Sequence, residues 1–387
     1  MSSFYVERFE KRSISMKLKS IILTLLTLVV VQPLSAWVYN PAVGTYVANK
    51  PCYRCAPNKG CGECGTLACD PCQQNFNCFP CVNFTVYGDW LYWKVRRCEL
   101  DYVWPCSGVL VAEGKNHSVD PSYDSGFRVG VRADLCNWDF GARYTRYHTD
   151  EKASVLDLNG NIQPSRLHPA GNAQIGKNEL KFACTKYDFD YDVIDIEFGR
   201  KIDTCYCDQL RFFGGVKIAY IDQDLCTGYT ENPDYQNGGS NIDAARVKER
   251  VEMDAYGLYA GGEGHWNICG CLGAFGRVGG GALIGDFERS VFEERVDDAT
   301  VIVDTHDCCA KMITNFEIAT GLEFVFNTCF CGDWGIQVGY EFHHWGNMLD
   351  FIQFSGNDDT NEYPATTDRN SEDIGLDGLF VRLSASF

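Results

Sequence analysis

Apolar and polar residues alternate with a period of two along most of the chain beyond about residue 83. In the run 126–147, apolar residues such as Phe127 and Val129 alternate with charged residues such as Arg128 and Arg132. Because successive side chains of a β-strand point to opposite faces of the sheet, this run predicts a hairpin with one apolar face and one charged face. A soluble β-sandwich would also accommodate a single hairpin of this kind.

The same alternation recurs in ten segments along the chain. The predicted strands span residues 84–95, 126–135, 138–148, 186–200, 210–221, 250–266, 272–286, 313–326, 334–345 and 378–387. Four connections are tight turns, at Cys136, Cys205, Cys269 and Cys329, and they alternate with five polar loops of roughly 26 to 37 residues. A soluble sandwich gives no reason for its connections to be sorted by length in this way.

Short turns on one side and long loops on the other are typical of barrels that span a bacterial outer membrane. Strands of about 9 to 11 residues are long enough to cross a bilayer at a tilt. The sequence therefore predicts an all-β fold: a closed antiparallel transmembrane β-barrel of about ten strands, with short periplasmic turns and long extracellular loops. This fold places the protein in the outer membrane of a Gram-negative bacterium, in contact with outer-membrane lipid.

Charged residues on the strands must face the inside of such a barrel, because lipid offers them neither water nor a partner. The predicted pore-lining residues are Arg128, Arg132, Asp139, Arg143, Asp188, Asp190, Asp192, Asp195, Glu197, Arg211, Lys217, Glu317, Glu323, Glu341 and Arg382. In the run 186–200 the alternation slips by one residue, which predicts a β-bulge. The aspartates of this run also suggest a calcium loop, but aromatic residues separate them where such a loop needs a glycine turn.

The net charge, the strand geometry and the local motifs of the chain argue against several classes of function. A formal net charge of -18 disfavours nucleic acid as a partner, since phosphates attract basic surfaces. Adjacent strand residues point to opposite faces, so His343 and His344 do not form a metal site together, and no metal ligand or cofactor is predicted. No local motif presents a nucleophile beside a base, so we expect no catalytic residues and no enzyme activity.

The N-terminal region divides into two parts before the barrel. Residues 1–36 carry a basic stretch, a short apolar run from Ile21 to Val31 and a small residue, Ala36, which together predict an upstream extension and a secretory signal peptide. Residues 37–82 form a cysteine-rich periplasmic segment without strand or helix periodicity. The barrel is predicted over residues 83–387.

Cysteines cluster in this segment and at the tight turns. Four Cys-x-x-Cys pairs could bind zinc, but only four or five residues separate one pair from the next, and an oxidising compartment favours disulfides. The candidate disulfide cysteines are Cys52, Cys55, Cys61, Cys64, Cys69, Cys72, Cys78, Cys81, Cys136, Cys205, Cys207, Cys269, Cys271, Cys329 and Cys331. Two thiols of a Cys-x-Cys turn are poorly placed to bond each other, so links to other turns, to the N-terminal segment or to another polypeptide are expected.

Several motifs resemble those of a known family. The runs DWLYWKV, GFRVGV followed by WDFGARYTRYH, RFFGGVKIAYI and the ending GLFVRLSASF are similar to the pore-forming major outer membrane proteins of the Legionella type, which also occur in chlamydia-like bacteria. The resemblance covers the barrel, and it implies porin activity and oligomers, commonly trimers. The terminal Phe387 is similar to the signal that the barrel-assembly machinery reads. The cysteine-rich segment departs from the Legionella pattern and resembles the disulfide-linked porins of the chlamydial envelope.

The sequence therefore predicts an outer-membrane porin that passes small hydrophilic solutes by diffusion and contributes to a disulfide-cross-linked envelope. Its expected partners are further copies of the chain and other disulfide-linked envelope proteins. Ten strands enclose little space, so a plugged structural or adhesive barrel without channel activity is the alternative.

Overall fold

The computed structural model describes most of the chain after residue 81, together with two short strands nearer the N-terminus. The described ranges are 38–40, 45–47, 82–105, 114–135, 137–168, 180–203, 209–231, 244–269, 271–296, 299–328, 332–355, 366–368 and 371–386. Within these ranges no helix has the length and apolar character that crossing a membrane requires.

Ten long strands form one closed barrel, in which each strand pairs with its neighbours in the sequence and the last strand pairs antiparallel with the first. The strands are β1 (Val82–Arg96), β2 (Asp124–Leu135), β3 (Trp138–Leu156), β4 (Phe182–Asp203), β5 (Gln209–Thr230), β6 (Ala244–Cys269), β7 (Leu272–Arg295), β8 (Val301–Thr328), β9 (Gly332–Leu349) and β10 (Ser371–Ser386). The predicted fold class and strand number are confirmed.

Shorter strands form small sheets that are separate from the barrel sheet. Val38–Asn40 pairs with Thr45–Val47, and Gln353–Ser355 pairs with Thr366–Asp368. A three-stranded sheet joins loop segments, with Asp101–Pro105 between His117–Ser118 and Ile162–Pro164.

Most barrel strands are longer than predicted, and the extra length lies on the side of the long loops. β5 continues to Thr230 instead of ending near residue 221, and β8 begins at Val301 instead of residue 313. β2 and β9 are shorter, so β3 to β8 rise beyond the rest of the barrel as a six-stranded wall. Water and not lipid lies against the outer face of this wall, so its outward residues are polar. In the sequence these polar residues therefore resemble part of a loop.

The two faces of the barrel differ in the way that a lipid-embedded sheet requires. Large apolar side chains on the outer face remain uncovered, with Phe140 52%, Leu322 53% and Leu258 72% exposed. A continuous surface of this kind is stable against lipid and not against water. Most interior side chains are buried.

The predicted bulge in β4 is absent. β4 pairs with β3 and with β5 in unbroken register, so its odd-numbered residues face inward along the whole strand. The pore-lining prediction is therefore wrong for three residues, which lie on the outer face: Asp188, Asp190 and Asp192. Their part of β4 belongs to the wall, where charges can face water and the aromatic residues between them turn inward instead.

The short turns lie at one end of the barrel, together with the start of the first strand and the end of the last. Val82 pairs with Leu135, beside the turn from β2 to β3, and Ser386 pairs with Thr85. Several sequence predictions fall outside the described residues: the signal peptide, the eight cysteines from Cys52 to Cys81, Cys136, Cys205, Cys207, Cys329, Cys331 and Phe387. The backbone of Cys269 lies in β6, and Cys271 lies in the following turn.

Candidate functional site

The interior of the barrel holds most of the charged residues that the sequence placed there. The twelve that face the interior are Arg128, Arg132, Asp139, Arg143, Asp195, Glu197, Arg211, Lys217, Glu317, Glu323, Glu341 and Arg382. They meet each other across the barrel because ten strands leave an interior narrow enough for long side chains from opposite walls to touch.

Glu317 on β8 is the centre of the first group of ion pairs. Its carboxylate accepts from Arg143 Nη2 on β3 at 2.8 Å, from Arg277 Nη2 on β7 at 3.2 Å and from Lys217 Nζ on β5 at 3.4 Å. Three cations from three other strands thus share one carboxylate, which joins non-adjacent walls of the barrel.

A second group lies where β1, β2, β9 and β10 meet. Arg128 donates to Asp89 and to Glu341, each at 3.0 Å, and Arg382 donates to Asp89 at 2.7 Å. His343 connects this group with the first, since its ring nitrogens lie 3.4 Å from Glu341 and 3.8 Å from Glu317.

The third group surrounds Arg211 on β5. This guanidinium donates to Asp139 at 2.6 Å, to Glu197 at 2.9 Å and to Glu263 at 3.3 Å. Arg277 contacts the same two glutamates, at 2.7 and 3.2 Å, and so links the third group to the first. The interior charges therefore form one connected network.

Several charged side chains of the network are almost fully buried. Arg128 is 2% exposed and Lys217 is 1% exposed. A pocket lined by Arg143, Arg277 and Glu317, among others, lies between the charged side chains, and its volume of about 420 Å³ includes space open to solvent. Because a buried charge is costly unless it is paired and hydrogen-bonded, a dry interior explains why acids and bases occur together throughout this layer.

An aromatic layer adjoins the charged layer on the side of the long loops. Trp93 of β1 packs against Tyr191 of β4 with ring centroids 6.1 Å apart, and Tyr191 packs against Trp345 of β9 at the same distance. The indole nitrogen of Trp93 donates to Glu341 at 3.1 Å, so the two layers are in contact. These rings from separate walls meet inside the barrel.

A short segment after β9 lies buried at the mouth of the barrel. Phe351 is 1% exposed, and its ring lies under the guanidinium groups of Arg97 and Arg166, at 4.4 and 5.8 Å. Arg97 pairs with Asp350 of the same segment and with Glu372 of β10. We call residues 350–352 the mouth segment.

Three carboxylates near the mouth segment lie close enough together to be considered as a metal site. They belong to Glu99, Asp350 and Glu372. Arg97 already pairs with two of them, and backbone amides of Cys98 and Glu99 donate to Glu372. These contacts join the end of β1, the mouth segment and β10, and we call this group of residues the latch.

Sequence reasoning missed several members of the network. Asp89, Glu263 and Arg277 lie on strands whose glycines and aromatic residues on both faces obscure the alternation. The aromatic cluster at the end of β1 suggests an interface belt that includes both Trp90 and Trp93. The two differ by three positions and face opposite ways, and Trp93 is fully buried. Counting strictly by twos from Asp89 places Trp93 inside.

We expect that Glu317→Gln destabilises the barrel by about 3–5 kcal/mol, because three buried cations lose the charge that compensates them. Asp188→Asn, which removes a carboxylate from the exposed pair with Lys186, should cost less than about 1 kcal/mol. Urea unfolding of both variants in lipid vesicles, followed by tryptophan fluorescence, measures the difference. Equal losses would contradict the placement of these two carboxylates.

Several solved structures similar to this chain are outer-membrane barrels with low identity. A major outer membrane protein from Thermus thermophilus has 12% identity and a TM-score of 0.31, covering 79% of this chain and 99% of that chain. The outer membrane protease OmpT from Escherichia coli has 12% identity and a TM-score of 0.40, covering 79% and 96%. A Pseudomonas aeruginosa FadL homologue has 10% identity and a TM-score of 0.28, covering 79% and 90%. At this level of similarity none of their activities is transferred to the present chain.

The family comparison is more specific. No curated protein matches the chain. A family model, described as the Legionella pneumophila major outer membrane protein precursor, matches residues 79–387. This match covers the whole barrel, including every strand that carries the interior network. The chain therefore belongs to the Legionella major outer membrane protein family and is a β-barrel protein of the outer membrane.

Proposed function

We propose that the protein is a structural barrel of the outer membrane whose interior is closed to free diffusion of solutes. One observation carries this proposal: most interior side chains of both layers are buried, with Trp93 and Trp345 0% exposed and Arg128 2% exposed. In a water-filled pore, side chains at these positions would line the channel and be partly exposed. The charged network thus acts as packing inside the barrel, and the barrel acts as a wall component.

Two barriers in series support the closed state. The first is the aromatic layer, in which Tyr191 contacts both Trp93 and Trp345 across the barrel. The second is the mouth segment, which Arg97 holds in place through Asp350 and Phe351. A solute would have to displace both, and moving the buried Arg97 away from its partners would leave charges unpaired.

Passage of small hydrophilic solutes is the second candidate function. The charged layer favours it, because an interior that never meets water could be packed with apolar side chains at lower cost. In this alternative the mouth segment and the aromatic layer move aside, and solutes then meet the network around Glu317 and Glu341. Acids and bases are nearly balanced there, so the interior gives little preference for ions of either sign.

We further propose that the periplasmic rim is joined by disulfides to other copies of the chain or to other envelope proteins. The turn with Cys271 lies at the end of the barrel where β1 begins, and residues 37–81 with their eight cysteines precede β1. An oxidising compartment favours bonding among thiols that are gathered at one rim.

Liposomes that contain the refolded protein should swell in a small sugar no faster than liposomes without protein. Phe351→Ala, which removes the ring that Arg97 and Arg166 contact, is expected to increase ion leakage in planar bilayers. Phe316→Ala, on the lipid-facing side of β8, is the matched control and should leave leakage unchanged. Rapid swelling with the unaltered protein would rule out the closed barrel and favour the porin.

Envelope preparations analysed on gels should show the protein in large complexes without reductant and as a monomer with reductant. Replacing both Cys269 and Cys271 by Ser should shift part of the non-reduced material to smaller species. Monomer migration in both conditions would contradict the cross-linked rim.

The latch at the mouth should weaken as pH rises. A hydrogen bond with Asp350, together with burial, raises the pKa of Glu99 to about 7. A carboxyl whose pKa is raised by folding stabilises the folded latch below its unfolded pKa, and this contribution is lost as pH rises through the folded pKa. Above about pH 7, ionised Glu99 repels Asp350 and Glu372.

Amide-exchange protection factors of the mouth segment should therefore fall between about pH 5 and about pH 8. The Glu99→Gln variant cannot ionise, and its protection factors should stay level over the same range. A fall of equal size in both proteins would show that another group controls the latch.

A further inference from the structure

β7 and β8 carry a group of metal-ligating side chains on the outer face of the wall, beyond the lipid-facing surface. Ile284 and Met312, a facing pair on the outer side, are apolar and exposed. Four residues beyond Ile284 along β7, Glu288 pairs with Cys308 of β8. His306 lies two residues from Cys308 and so shares its face of the sheet.

His306 lies within reach of both other side chains. Its Nε2 lies 3.0 Å from Cys308 Sγ and 3.5 Å from Glu288 Oε1. Cys308 is exposed, and the side chains of His306 and Glu288 are 34% and 26% exposed. All three side chains are therefore at least partly accessible to solvent.

We propose that Glu288, His306 and Cys308 form a zinc site. Thiolate sulfur and imidazole nitrogen are the donors that Zn²⁺ prefers, and a carboxylate from the neighbouring strand adds a third ligand. Zinc–sulfur and zinc–nitrogen bonds of about 2.3 and 2.0 Å place the two donor atoms about 3.5 Å apart in a tetrahedral site. His306 Nε2 already lies near this separation from both partner atoms. Rotation of the Glu288 and Cys308 side chains brings their own donor atoms together, and water completes the coordination.

The position of the site in the sheet gives it a role. β7 pairs with β8 from Val301 onward, whereas β9 pairs with β8 only from Thr314. Over residues 301–313, β8 is thus bonded to a neighbouring barrel strand on one side only, within the described part of the chain. A metal held jointly by Glu288, His306 and Cys308 fastens this exposed edge to β7 at the point where the sheet offers it least support.

The site is tested by titrating zinc into the refolded full-length protein in detergent and under reducing conditions. A chromophoric chelator competes for the zinc and reports the affinity. Cys308→Ser and His306→Ala should each lower the affinity for one zinc equivalent by at least about tenfold. Cys309→Ser is the matched control, because this neighbouring residue points to the inner face and should keep full affinity. Cys308→His, which supplies another zinc donor, should retain binding.

Amide exchange supplies a second measurement that does not depend on counting zinc ions. Added Zn²⁺ should slow exchange of residues 301–312 in the unaltered protein and in Cys309→Ser, but not in Cys308→Ser. Equal affinity and stoichiometry in the unaltered protein and Cys308→Ser would overturn the proposal. Loss of binding in Cys309→Ser to the same extent would overturn it as well.

Discussion

Backbone hydrogen bonding inside lipid is the constraint on which this structure depends. No water reaches the hydrocarbon layer, so every strand must pair on both sides, and the pairing of β10 with β1 completes the ring. Closure then fixes the direction of every side chain, since alternate residues must face either lipid or the interior. The apolar outer face and the charged inner face are two consequences of this single requirement.

Inside the barrel, this constraint requires charged side chains to be buried, which costs free energy. Charges cannot face lipid, and ten strands leave little room for water, so the inward charges must neutralise one another. Glu317 with its three cations and Arg211 with its three acids show how completely they do so. A network of this kind adds little net stability compared with apolar packing, but it tolerates the loss of a single member poorly. Above the lipid, the same sheet reverses its polarity, with Tyr187 inside and Asp188 outside.

The number of strands and the lipid-facing positions could be predicted because alternation and loop length are local properties of the sequence. The reversal in β4 could not, since the change from lipid to water outside the sheet leaves the period intact and mimics a bulge. The inward direction of Arg277 and Glu263 could not be predicted, because the glycines around them obscure the alternation. The mouth segment has no sequence signal: Phe351 reaches the interior through contacts with Arg97 and Arg166, which lie far from it along the chain.

Hydroxyl-radical footprinting of the refolded protein in lipid bilayers, read out by mass spectrometry, tests the closed interior most directly. Trp93 and Trp345 are fully buried inside the barrel, whereas Tyr123, 38% exposed, lies outside the aromatic layer and serves as the reference. A closed barrel predicts strong oxidation of Tyr123 and almost none of the two tryptophans. Oxidation of Trp93 and Trp345 at rates near that of Tyr123 would show that water fills the barrel and would contradict a closed interior.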